Sequence, residues 1–166
     1  MDADHPVPEP FRLLFVCTGN TCRSPLAEVI ARRRLADLGW NHVEVRSAGV
    51  GAWDGGPASN GSLAAAARHD ADLSDHRSSR VTPELLDWAD MVLAMSPSHV
   101  MHLAELGAKS KSELLTRFAA GADPQGVPEF VSDPVGGTDE DYEETYVLLD
   151  RLVDLTLRRL RPVVAP

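Results

Sequence analysis

The spacing of apolar positions changes several times along this chain, and each change predicts an element. Leu13-Leu14-Phe15-Val16 is a continuous apolar run, which predicts a strand buried on both faces. Beyond Pro25, the residues Ala27, Ala31, Leu35 and Leu38 fall on one helical stripe, and Gly39 is placed to end that helix. Val43–Arg46 predicts a short second strand, and the glycine-rich stretch 49–61 predicts a loop. An alanine-rich helix is expected over Ser62–Asp70, followed by a polar loop at 75–80. Thr82-Pro83-Glu84 opens a helix that ends near Trp88, and Asp90–Met95 reads as a strongly apolar third strand. Ser96-Pro97 caps a helix running to Leu106. Glu113–Phe118 is expected as a fourth strand, weaker in pattern. Ala119–Gly137 is a long loop rich in glycine and proline, a length that is often functional. Thr138 and Asp141 have capping-box spacing. Tyr142, Tyr146, Leu149, Val153, Leu157 and Leu160 then give the last helix its core face, and Pro162 is expected to end it.

Strands alternating with helices predict a single α/β domain built on a parallel sheet. Four strands in the order 2-1-3-4, with right-handed crossovers and helices on both faces, are expected. The loop after the first strand then lies at the switch point, where such sheets bind ligands. The expected limits are a disordered tail at 1–10, the domain at 11–161 and a C-terminal tail at 162–166.

Composition narrows the partners. The 166 residues carry a net charge of −9, so nucleic acid is not expected as a partner. Arg32-Arg33-Arg34 is spread around a helix and reads as a solvated face. No apolar run approaches the ~18 residues of a membrane span, and the acidic, proline-rich start does not resemble a signal peptide. A cytoplasmic protein is expected. Cys17 and Cys22 form neither a disulfide framework nor a zinc site, and no metal is expected. His99 and His102, three apart on a predicted helix, read as solvent-facing polar residues.

The chemistry concentrates in Cys17-Thr18-Gly19-Asn20-Thr21-Cys22-Arg23-Ser24-Pro25. A polar turn there links a strand end to a helix start. Gly19 and Asn20 tolerate the left-handed backbone that turns N–H groups inward, and the helix N-terminus adds its dipole. Arg23 can offer a bidentate fork to an oxyanion. Thr18, Gly19, Asn20, Thr21, Cys22 and Ser24 therefore read as binding positions around a nucleophilic Cys17, with Ser24 able to donate to the thiolate. Such a thiolate could attack a phosphorus held in the loop.

This run resembles the phosphate loop of the low molecular weight protein phosphatases, and the resemblance extends over roughly residues 11 to 161. Ser47-Ala48-Gly49 resembles the end of that family's second strand, and Asp133-Pro134 its general-acid loop. The resemblance implies attack by Cys17, a cysteinyl-phosphate, stabilisation of the equatorial oxygens by Arg23 and the loop amides, and proton transfer by Asp133. It implies phosphorylated proteins as partners and no cofactor. Trp53 is either a rim aromatic, as in that family, or an ordinary loop residue. Cys22 is either a small core residue or a redox partner for Cys17. Thr21 stands where tyrosine-directed members carry an apolar residue, and Gly136-Gly137 follow the acid loop. Both features resemble the branch acting on phosphoarginine, with tyrosine phosphatase as the alternative. Arsenate reductase wants further cysteines after Cys22, and a flavodoxin-like FMN carrier wants a second stacking aromatic near residue 95; the chain has neither.

Overall fold

The computed structural model describes residues 8–121 and 123–165. Its elements run β1 Phe11–Cys17, α1 Arg23–Leu38, β2 Val43–Gly49, α2 Asn60–Arg68, α3 Pro83–Trp88, β3 Met91–Ala94, α4 Pro97–Glu105, β4 Ser112–Leu114, α5 Leu115–Ala120 and α6 Asp139–Val164. The sheet order is β2-β1-β3-β4, and every pairing is parallel. The domain is therefore the α/β architecture that the alternation predicted.

β1 lies in the middle of the sheet and is buried from Leu13 to Cys17. Its alternating side chains feed two separate cores. Leu13, Phe15 and Cys17 pack with α1, α2, α5 and α6, whereas Leu14 and Val16 pack with Leu86 of α3 and Leu103 of α4. That two-sided burial is why the sequence shows a run rather than an alternation. The α6 stripe of Tyr142, Tyr146, Leu149, Val153, Leu157 and Leu160 is buried throughout.

Several expectations fail for identifiable reasons. The fourth strand stops at Leu114, and the chain turns helical from Leu115. Leu115, Phe118 and Ala119 are buried together, a spacing that fits a helix and not a strand. Residues 119–120 consequently leave the predicted loop. Leu38 is exposed, because α1 ends there at a left-handed Gly39. Pro162 does not end α6, which continues to Val164. The missing N–H costs one bond in the last turn, while Val164 is buried and its carbonyl accepts from His42. Of the expected N-terminal tail, residues 1–7 lie outside the described residues, and Pro8–Pro10 are exposed.

Candidate active site

The loop from Thr18 to Cys22 joins the end of the central strand to the start of α1. α1 opens without a side-chain cap at Cys22 and without an acidic residue in its first turn. Among the described residues, the backbone N–H groups of Thr18, Gly19, Asn20, Thr21 and Cys22 find no protein acceptor. Unpaired donors of this kind are costly when sheltered from water and are satisfied by an anion. The Nε of Arg23 is likewise buried without a protein acceptor among the described residues.

Asn20 holds the loop's shape. Its φ is +54°, in the left-handed region, and its side chain is completely buried. Nδ2 donates to Ser24 Oγ at 2.8 Å and to Ser47 Oγ at 2.9 Å, while Oδ1 accepts from the Ser79 amide at 2.8 Å. His76 Nε2 donates to the Asn20 carbonyl at 2.7 Å. β2 must come close for this to work. A Cβ on Gly49 would lie 2.3 Å from the Thr18 carbonyl oxygen, so only glycine fits there. The sequence pointed to Asn20 through its backbone tolerance; its side-chain partners, spread from residue 24 to 79, left no local signal.

Cys17 is buried at the base of the loop, with Sγ 3.0 Å from Ser24 Oγ. Asn20 already donates to that hydroxyl, which leaves the Ser24 proton for Cys17 or for the Ala48 carbonyl at 3.4 Å. A thiolate at Cys17 would take it, since a charged acceptor makes the stronger bond. Arg23 donates through Nη1 to the Val131 carbonyl at 3.0 Å, and its Nη2 stands 3.6 Å from Asp133 Oδ2. Asp133 is thereby brought to the loop from a distant part of the chain. Its side chain is 41% exposed, and Oδ1 accepts from the Val135 amide at 3.1 Å.

Cys22 points away from this face. Its thiol donates to Ser59 Oγ at 3.3 Å and lies 3.7 Å from the Tyr142 hydroxyl. Burial and the Cys22 contact raise the Tyr142 pKa above its ordinary value. Both cysteines are free thiols. Thr21 is half-buried; its Oγ1 lies 3.8 Å from Cys22 Sγ and would sit 3.6 Å from a Cβ on Gly19. Trp53 is 88% exposed, though its own loop packs on the site, with the Gly51 amide donating to the Thr18 carbonyl at 2.9 Å.

His99 is the residue that sequence reasoning misplaced. It is 2% exposed, not solvent-facing; its Nε2 lies 2.8 Å from Thr18 Oγ1 and its Nδ1 lies 3.0 Å from Ser96 Oγ. Burial, reinforced by the nearby Arg23 charge, lowers its pKa to about 4. The available signal was positional: His99 follows the carboxyl end of β3, the neighbour of β1. His102 does lie on the exposed side of α4. Among the described residues no cluster of three or more His, Cys, Asp or Glu side chains is arranged to hold a metal, and no helix is long and apolar enough to cross a membrane.

The family model for low molecular weight phosphotyrosine protein phosphatases matches residues 12–163. The chain is 38% identical over 151 residues to a protein-arginine-phosphatase of Geobacillus stearothermophilus, covering 87% of this chain and 95% of that one. It is 33% identical to low molecular weight protein-tyrosine phosphatase A of Mycobacterium tuberculosis, covering 86% of both. Among solved structures, the YwlE arginine phosphatase from Geobacillus stearothermophilus superposes with a TM-score of 0.82 at 37% identity, over 92% of this chain and 94% of that one. With a cysteine seated in the loop after the first strand, this chain belongs to the low molecular weight phosphotyrosine protein phosphatase family and is a cysteine-based protein phosphatase.

Proposed function

We propose that Cys17, Arg23 and Asp133 carry the reaction, and that phosphoarginine in proteins is the preferred substrate. The observation that carries the reading is the set of consecutive N–H groups, Thr18 to Cys22, without acceptors among the described residues around the Cys17 thiol. A phosphoryl group supplies three oxygens for those donors and for Arg23 Nε. The Cys17 thiolate attacks phosphorus in line, so an S–P bond forms as the bond to the leaving nitrogen breaks. Asp133 gives that nitrogen its proton. The resulting carboxylate then takes a proton from water, whose oxygen attacks phosphorus, and the S–P bond breaks to release phosphate and the thiolate.

Residue type favours phosphoarginine. Thr21 puts a hydroxyl, and not an apolar side chain, in the loop, which suits a guanidinium that hydrogen-bonds in its plane. Relatives of both kinds are similar to the chain: arginine phosphatases at 38% and 35% identity, tyrosine phosphatases at 38% for a solved structure from T. tengcongensis and 33% for the protein of Mycobacterium tuberculosis. Phosphotyrosine is the second reading, supported by that last relative. A thiol nucleophile works in a reducing compartment, which fits a cytoplasmic enzyme.

The test is kcat/KM for phosphoarginine and phosphotyrosine peptides, in wild type and Thr21→Ile. Wild type should favour phosphoarginine. Thr21→Ile keeps the β-branched backbone preference and removes the hydroxyl, so the ratio should move toward phosphotyrosine by about tenfold or more. A wild-type preference for phosphotyrosine, or an unmoved ratio, would remove phosphoarginine from the reading.

A further inference from the structure

Thr18 is the first residue after Cys17, and its side chain leaves the loop toward β3 and α4. His99 meets it there at 2.8 Å. Arg23 Nη2 lies 3.5 Å from the same Thr18 oxygen. Arginine only donates, so the Thr18 oxygen receives on that side.

We infer that His99 is a positioning residue: its Nε2 fixes the Thr18 side chain, and through Thr18 it sets the first peptide of the phosphate loop and the approach of Arg23. The inference goes beyond the reaction assigned to Cys17, Arg23 and Asp133 and rests on that reading only for its kinetic readout.

Two costs argue that His99 does more than fill space. Ser96 is the N-cap residue of α4, yet its hydroxyl makes no capping bond. It faces His99 Nδ1 instead. A serine cap ordinarily stabilises a helix start, so this helix forgoes a usual stabilisation to hold an imidazole ring. The second cost is burial of a titratable group beside a cation. Burial comes first among the causes, Arg23 and His102 also disfavour a charged imidazole, and Asp133 alone favours it, so the ring is held neutral. A leucine would pack here without either cost. The neutral ring has one proton for two hydroxyls, and because each hydroxyl can give or take, either tautomer keeps both bonds.

The chain of contacts is directional in space. Ser98 holds Ser96 at 3.0 Å, Ser96 holds the ring, the ring holds Thr18, and Thr18 lies against Arg23. The carboxyl end of β3 thus braces the loop from the side opposite β2, where Gly49 and Gly51 brace it.

Two conservative substitutions separate the two ring nitrogens. A glutamine amide at this position would reach the place of Nε2, whereas an asparagine amide reaches only the place of Nδ1. So His99→Gln keeps the bond to Thr18, and His99→Asn keeps the bond to Ser96. The measurements are inorganic phosphate affinity by titration and kcat and KM for an aryl phosphate, with thermal midpoints as a fold check. His99→Asn should weaken phosphate binding and lower kcat/KM about fivefold or more, the loss of one partly buried hydrogen bond. His99→Gln should stay within about twofold of wild type. Thr18→Val should match His99→Asn, and the double variant should be no worse than either single one. Thr18→Val is nearly isosteric and leaves the ring in place, so it carries the test if the His99 variants fail to fold. Equal losses in His99→Gln and His99→Asn, additive losses in the double variant, or a Thr18→Val that binds phosphate like wild type would each overturn the inference. Failure of the Cys17 assignment reads out separately, as activity surviving in Cys17→Ser while phosphate binding still follows His99.

Discussion

The phosphate loop and the acid loop meet over the same few ångströms but are built in opposite ways. From Cys17 to Ser24 the polar side chains are tied to distant residues, Asn20 to Ser47 and Ser79, Thr18 to His99, Arg23 to Val131, and Asn20, Arg23 and Ser24 are buried. From Ser132 to Gly137 the chain is largely exposed and, apart from the Arg23–Asp133 ion pair, its bonds are local, Val135 to Asp133 and Gly137 to Pro134. The nucleophile's surroundings are over-determined, and the proton donor's are not. Charge developing on a phosphoryl group rewards donors that need no rearrangement, whereas one proton can be delivered from a loop held at its ends.

If that division is right, damage to the two loops should differ in kind. The largest effect is expected from Cys17→Ser. Turnover should fall at least about a thousandfold with the thermal midpoint little changed, because the rest of the loop does not depend on sulfur. Stopped assays paired with thermal melts check this, and appreciable residual turnover would remove Cys17 as nucleophile. Next comes Asp133→Asn. Turnover should drop about a hundredfold for poor leaving groups and far less for activated aryl phosphates, since only the former need a full proton. Equal losses across leaving groups would make Asp133 a structural residue and erase the contrast.

Two glycines sharpen the comparison. Gly49→Ala drives a Cβ to 2.3 Å from backbone in the phosphate loop, and should cost about 1–3 kcal/mol together with phosphate affinity. Gly136→Ala meets nothing within 4 Å at a φ of +75°, and should cost about 1–2 kcal/mol of backbone strain without touching phosphate affinity. Denaturation and phosphate titration on both variants test whether the loops are as separable as they look. The smallest effect concerns acid. The unfolded chain protonates His99 near 6.5, but the folded protein does so only near about 4. Its contribution to stability is therefore present above that window and is lost as pH falls through it, at about 1.4 kcal/mol per pH unit at most. His99→Gln should remove that part of the slope, which denaturant titrations across the window would reveal.

The sequence was most legible where a single element carried its own signal. The apolar run of β1, the stripe on α6 and the Thr138 capping box are local patterns, and each appears where it was expected. The cysteine-to-arginine loop could be read for the same reason. What could not be read depended on tertiary partners. Leu115 to Ala119 could be scored as strand until burial against α6 selected the helical spacing. Pro162 carried a stop signal that the burial of Val164 overrides. His99 reads as a surface residue in sequence because the partner that draws it inward, Thr18, lies 81 positions away.

Tyr142 gives the two loops a common reference. Its ring lies against Gly61 in α2, where a Cβ would meet it at 2.3 Å, and its hydroxyl reaches Cys22 on the back of the phosphate loop. The preceding residue, Asp141, closes the capping box with Thr138 just past the acid loop. One turn of helix therefore registers both ends of the reaction coordinate to the same rigid body. Within 132–137 the exposed Ser132, Val135 and Gly136 then stand apart from the socket's contacts, whereas Gly137 is fixed by the Pro134 carbonyl and Asp141. A lineage can rewrite the residues beside Asp133 to suit a new leaving group, and the socket that grips the phosphoryl group stays as it was.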